Sequence, residues 1–345
     1  MQPSLADKCA GTTMSSTQAV CRGYPSRAQI FLCLSIFALG TIFWTPAGAQ
    51  ARPDPALVGT IDSHIHTEAD MAASGGSSMD DIELARKARD RGMRAIVIKP
   101  TMFESASRAY LVRKIVPGIE VFGGLILNRF TGGMNPVAVD GFAALAGGTS
   151  KVVWFPNTDA EQQIRFYKLN RAAVQVSDGK RLLPETLAVL DAIAKHKLVL
   201  ATSHVSSEEA LMLIREGRAR GIQGIVVTHA IQDPINMSVE QMKEAVRLGG
   251  FIEHSVLGMF KGPDSHLGPF FSRQRRFTIA DHAAVIKAVG AANMILVTDL
   301  GQHFNPIAPD GLKAFMEGLK REGISDADID LMSRKNPARL LGLNP

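Results

Sequence analysis

The chain has 345 residues, 46% of them hydrophobic and 21% charged, which is enough apolar material for a large core and excludes a charge-rich disordered chain. Its three cysteines, Cys9, Cys21 and Cys33, leave the body without a thiol for a disulfide, a Cys-rich zinc cluster or a Cys nucleophile. The net charge of +5 falls to +3 once Lys8, Arg22, Arg27 and Asp7 are set aside, a balance that argues against a nucleic-acid partner.

Residues 1–49 read as a signal peptide. Arg22 and Arg27 precede the apolar stretch 30–44, and Ala47-Gly48-Ala49 supplies a small-x-small cleavage site. The apolar stretch is short for a bilayer span of about 20 residues. The mature protein is therefore expected to begin near Gln50, periplasmic or secreted, without a stable membrane anchor after cleavage. A start at Met14 would give a more typical leader.

Residues 50–345 read as one α/β domain. Eight apolar runs follow one another: Leu57–Ile61, Arg94–Ile98, Ile119–Leu127, Lys151–Phe155, Leu198–Ser203, Gly224–Thr228, Gly250–Glu253 and Met294–Thr298. Amphipathic segments separate them, and start-to-start spacings of about 25 to 47 residues suit one βα unit per run. Eight units predict a closed (β/α)8 TIM barrel. The first helix is expected to be capped by Ser78 with Asp81 and ended by Gly92; Thr278 with Asp281, and Ser325 with Asp328, repeat the start signal. Insertions 158–184 and 255–276 follow the fourth and seventh runs and carry Phe260, Phe270 and Phe271, so they are expected to cover a substrate. Arg273, Arg275 and Arg276, in the second insertion, read as a solvated loop.

Residues at the C-terminal strand ends of such a barrel converge on one mouth. Asp62-Ser63-His64-Ile65-His66 places two histidines two positions apart, so on a strand both imidazoles face the same side and can meet one metal ion. Later runs end in Lys99, His204, His229 and Asp299, while strand 7 offers Glu253 or His254, of which alternation lets only one face inward. Lys99 has three readings: a metal-bridging carbamate, an anchor for a substrate anion, or an ordinary barrel-mouth lysine. The loop with Asn128, Gly132, Gly133 and Asn135 reads either as an anion-binding backbone nest or as turn chemistry. His303 follows Asp299 closely enough to be expected near substrate.

These motifs resemble the amidohydrolase superfamily of metal-dependent barrel hydrolases: Asp62-Ser63-His64-Ile65-His66, Thr202-Ser203-His204, Val227-Thr228-His229 and Val297-Thr298-Asp299 stand in its order, and 336–342 looks like its closing helix. Lys99-Pro100, 122–128, 132–136 and Val153-Trp154-Phe155-Pro156 resemble more narrowly an amidohydrolase-like family of unestablished substrate. The resemblance implies that His64, His66, His204, His229 and Asp299 form the metal and catalytic set, with a divalent metal of zinc type, one or two ions. It also implies a departure, because strand 4 ends in Trp154-Phe155-Pro156-Asn157 where a bridging Lys or Glu is usual; Lys99 or Glu253 would have to bridge, or the site holds one ion. In the expected hydrolysis Asp299 takes the water proton and His229 stabilises developing charge, on a small-molecule cyclic amide, lactone, amide or ester. A decarboxylase on the same scaffold and a non-catalytic small-molecule or metal-binding barrel are the alternatives. A homo-oligomeric state is left open.

Overall fold

The computed structural model describes residues 52–67 and 76–344, within a compact unit spanning 50–345. The expected leader lies outside the described residues. No helix among the described residues is long and apolar enough to cross a membrane.

Eight parallel strands form one sheet in sequence order: β1 Ile61–Ile65, β2 Ala95–Ile98, β3 Glu120–Ile126, β4 Ser150–Trp154, β5 Val199–Ala201, β6 Ile225–Val227, β7 Phe251–Ser255 and β8 Met294–Val297. Helices lie between them, as the (β/α)8 reading predicts. Alternate side chains point into the barrel, where Ile61, Val97, Phe122, Trp154, Val226 and Ile295 pack, while Ile96, Leu200, Ile252 and Leu296 face the helices. The helix Asn336–Leu340 contributes Ala338 and Leu340 to the interior cluster. Each such aliphatic side chain stabilises the fold by about 1.5–3 kcal/mol when taken fully out of water.

The first strand departs from expectation. Its ladder begins at Ile61 rather than Leu57, because residues 55–59 form a turn, with Gly59 at φ +77°. Asp62 pairs with Ile96 but Ile65 with Ile98, so β1 carries one extra residue at this point. Such a bulge re-aims the side chains that follow it. Ile61 packs inside the barrel while Ile65 packs outside, which turns His64 and His66 inward.

Closure from the last strand to the first uses residues just beyond the ladders. His66 N–H donates to the Leu300 carbonyl at 2.8 Å and Asp299 N–H to the His64 carbonyl at 2.7 Å. Beneath them the buried Asp62 carboxylate accepts from His64 N–H at 3.1 Å, Thr298 N–H at 3.2 Å and the Thr298 hydroxyl at 2.6 Å. Burial pushes the Asp62 carboxyl up to about 7, against these three hydrogen bonds.

The helix starts follow the sequence in two of three cases. Thr278 with Asp281 forms a capping box, and Ser325 accepts from Asp328 N–H. The first helix, Asp81–Asp90, is instead capped by Asp80 with Glu83, two residues beyond Ser78, and is followed by Gly92 at φ +87°.

Candidate metal centre

His64 and His66 meet Asp299 at the seam of the barrel. His64 Nε2 and His66 Nε2 each lie 3.0 Å from Asp299 Oδ1, and all three side chains are buried. Asp299 reaches this place from a left-handed residue, φ +56°, two positions past β8. Side chains other than glycine rarely occupy that region, and they concentrate at functional sites. His229, one residue beyond Thr228 at the end of β6, does the same at φ +51°. Gly301 makes the turn after Asp299 possible: a Cβ there would stand 2.2 Å from the His66 carbonyl oxygen.

Hydrogen bonding alone does not explain this contact. His64 Nε2 has no hydrogen-bond partner despite lying 3.0 Å from a carboxylate oxygen. On its other side, His64 Nδ1 stands 3.1 Å from Glu253 Oε1, which accepts the Nδ1 proton and leaves Nε2 as a lone pair facing Asp299. A buried lone pair beside a carboxylate oxygen is favourable only with a positive charge shared between them. His64, His66 and Asp299 each offer one ligand atom, mutually within 4.8 Å, so the residues present fit a divalent cation of zinc type.

The electrostatics agree. Burial disfavours charge on His64, but Asp299 and Glu253 outweigh it and raise its pKa to about 9, so that without an ion a proton supplies the positive charge between His64 and Asp299, and a bound cation would displace it. Burial, reinforced by Lys99, lowers His66 to about 4 against the pull of Asp299, which keeps it in the neutral form that ligates metals. Burial opposes the charge of Asp299 too, yet His64 and His229 hold its carboxyl well below the usual range.

A second cluster of His64, His229 and Glu253 also has ligand spacing. It would need the same Glu253 oxygen that accepts from His64 Nδ1 and, at 3.2 Å, from the His229 backbone N–H. Glu253 therefore orients the imidazoles. His229 Nδ1 lies 3.4 Å from that oxygen and 3.4 Å from Ser255 Oγ, which places its proton on Nδ1. Its Nε2 then faces Asp299 Oδ2 at 3.6 Å.

The other strand-end residues sit farther out. The His204 ring is 5.3 Å from that of His229, and its Nδ1 meets Gln163 Oε1 at 3.1 Å; it belongs to neither ligand cluster among the described residues. Lys99 lines the same cavity, about 90 Å³ in volume, together with His66, His204, His229, Asp299 and Lys261. Tyr167 from the insertion after β4 stacks on Phe270 from the insertion after β7 at 4.2 Å, so the two insertions meet at this cavity as expected. A larger cavity of about 900 Å³, lined by Glu161, Arg165, Ser177, Glu208 and Asn236, holds none of the histidines.

Several expectations change. His254 points away from the mouth to His282, Nδ1 to Nδ1 at 2.9 Å, so Glu253 is the inward residue of β7. His303 lies exposed beside Phe304; Gln302 lines the cavity instead. The glycine loop has no free nest: Asn135 caps the helix Pro136–Ala143, and Gly132 and Gly133 N–H groups donate within the loop. Asn128 bonds Asn157, Nδ2 to Oδ1 at 2.7 Å. Arg273, Arg275 and Arg276 make loop contacts, to the Tyr167 carbonyl, Asp281 and Asp264. Lys261 and Gln163 were not singled out from the sequence, since no strand-end pattern marks residues delivered by insertions, and neither was Gln232 in the loop after β6.

Among solved structures the barrel is similar to an amidohydrolase from Pseudomonas aeruginosa, with 14% identity, 83% of this chain and 96% of that one covered, and a TM-score of 0.54. It is also similar to a putative 2-pyrone-4,6-dicarboxylic acid hydrolase from Pseudomonas putida, at 15% identity, 83% and 98% coverage and a TM-score of 0.52. For an organophosphorus hydrolase from Deinococcus radiodurans the values are 15%, 86%, 98% and 0.52. At such identities the likeness shows a shared fold. No curated protein matches the chain. The sequence pattern of a family of unknown function, DUF6282, matches residues 59–253, which covers the first seven strands through Glu253, and the chain belongs to that family.

Proposed function

We propose that the protein is a metal-dependent hydrolase of carbonyl-type substrates, with His64, His66 and Asp299 holding one divalent ion, zinc by its donor set. The observation that carries this reading is the buried, partnerless His64 Nε2 aimed at the oxygen that His66 also shares. When bound, the ion supplies Lewis acidity toward a carbonyl and lowers the pKa of water. Asp299 Oδ2, 3.6 Å from His229 Nε2, accepts the proton of the attacking water. His229 Nε2 accepts the second O–H and so orients that water. Glu253 fixes both imidazoles, and the Tyr167–Phe270 stack limits solvent entry. The barrel shared with proteins named as hydrolases supports the reading. We also propose export, on the order of basic, apolar and small residues over 22–49.

The test is metal analysis of the purified protein followed by a panel of chromogenic esters and lactones. One ion per chain with turnover supports the hydrolase. Stoichiometric metal without turnover across the panel would leave the non-catalytic binder.

A further inference from the structure

Lys261 is a buried cation that the hydrolytic reading leaves unused. It follows the 3-10 turn Val256–Phe260, its carbonyl is held by Arg276 Nε at 2.8 Å, and Gly262 carries the chain away at φ +110°. Its Nζ donates to Gln232 Oε1 at 2.8 Å. Gln232 is itself locked, with Nε2 bonds to the Ser255 carbonyl at 3.1 Å and hydroxyl at 2.9 Å. The partner is thus a neutral amide, which uses one of three ammonium donors.

Gln163 supplies a second, independent sign. It is 1% exposed and lines the same cavity; its Oε1 accepts from His204 Nδ1, while its Nε2 has no partner. Lys99 enters the cavity from the end of β2; burial and Lys99 disfavour the charge on Lys261, while the Asp299 and Asp233 carboxylates favour it. The cavity lining therefore includes two ammonium groups and an unsatisfied amide N–H, beside the Asp233 and Asp299 carboxylates. A buried donor without a partner is costly, and an anion's oxygens would satisfy the Gln163 amide and the donors that Lys261 does not spend on Gln232. Leu257, Phe270 and Phe271 make the rest of the wall apolar.

Resting on the hydrolase reading, we propose that the substrate carries a carboxylate besides the bond that is cleaved, and that Lys261, Lys99 and Gln163 hold this carboxylate while an apolar chain spans the distance to the metal centre. Lys261 and Gln163 would then set substrate specificity.

The experiment measures binding and turnover separately on the protein as purified. Binding is measured by calorimetry with succinate, glutarate and adipate, and with glutaramide as the neutral control. Turnover compares mono(4-nitrophenyl) glutarate with its uncharged counterpart 4-nitrophenyl valerate. The expected results are binding of at least one dicarboxylate but not of glutaramide, and a kcat/KM ratio of about tenfold or more in favour of the charged ester. Lys261→Gln and Gln163→Leu should each weaken dicarboxylate binding at least tenfold at unchanged metal content, and Lys261→Arg should retain it. Because Lys261→Gln removes a buried charge, its Tm should be equal to or above that of the parent, which a merely structural lysine would not give. Dicarboxylate binding unchanged in Lys261→Gln would place the anion on the metal and overturn the proposal, as would failure of all three dicarboxylates to bind. Binding with the expected mutational pattern but no turnover of either ester would sink the hydrolase reading and leave the anion site standing.

Discussion

The two sides of the barrel mouth carry different chemistry. Around β1, β7 and β8 the strand ends bring His64, His66, Glu253 and Asp299 to within 3.0–3.1 Å of one another in pairs. Around β3 and β4 they carry Asn128 and Asn157, bonded side chain to side chain, and the Trp154 ring stands 6.0 Å from that of His64. Gly124 on β3 exists for that indole, since a Cβ there would lie 2.0 Å from the Trp154 ring. The difference teaches that the space where strand 4 could have delivered a bridging ligand is filled by an apolar ring, which supports the proposal of a single ion on the other side.

Replacing both His64 and His66 by Ala breaks the comparison outright: bound metal should be lost entirely while far-ultraviolet circular dichroism stays native, because the barrel interior is built by other side chains. Stoichiometric metal in this double variant would move the centre elsewhere. Asp299→Asn keeps the shape and a coordinating oxygen but cannot take a proton, so kcat should fall about 10²-fold or more with metal partly retained. Near-native turnover at full occupancy would exclude Asp299 as the base. Glu253→Gln leaves every proposed ligand in place and weakens their orientation; metal affinity should fall about 10- to 100-fold, read by chelator competition. An unchanged affinity would deny Glu253 its orienting part.

The smallest effect concerns the two faces of β7, Glu253 inward and His254 outward. Burial lowers His282 to about 3, and His254, packed against it, also lies well below its usual value. The folded state therefore keeps both neutral while the unfolded chain binds protons below about 6.5. Stability contributed here is fully present above pH 6.5 and should decline as pH falls from about 6.5 toward 3. The slope from His282 is at most about 1.4 kcal/mol per pH unit. Denaturant midpoints between pH 7 and 4 measure it, and a His282→Phe variant should show a shallower decline; identical slopes would remove the pair as the cause.

Much of the fold was legible because a parallel barrel writes each strand as a short apolar run and each crossover as an amphipathic one. The order of the strands and the residues closing most of them could be read this way. The bulge in β1 could not, because an extra residue leaves no mark on composition and shows only in register. The choice between Glu253 and His254 needed the phase of β7, which the packing of Phe251 inside the barrel sets. Lys261 and Gln163 were invisible for another reason. Their positions depend on how two insertions fold over the mouth, and insertions have no period to read. His204 reaches the mouth as the strand-end pattern has it, but after a left-handed Ser203, φ +55°, and its imidazole meets Gln163, which no pattern marks.

The barrel's closure has a consequence for how occupancy could be followed without any substrate. Among the described residues no ladder joins β8 to β1; the joint is made by the amides of His66 and Asp299, which donate to Leu300 and His64. The backbone that fastens the cylinder is thus the backbone of the residues proposed to hold the ion. Opening the joint must loosen the grip, and filling the grip must tighten the joint, by the linkage that couples any ligand to the state it binds. The amide protons of His66 and Asp299 would consequently act as a built-in gauge, exchanging with deuterium orders of magnitude more slowly in the loaded protein than after chelation, while amides in the middle of β3 and β4 keep one rate throughout.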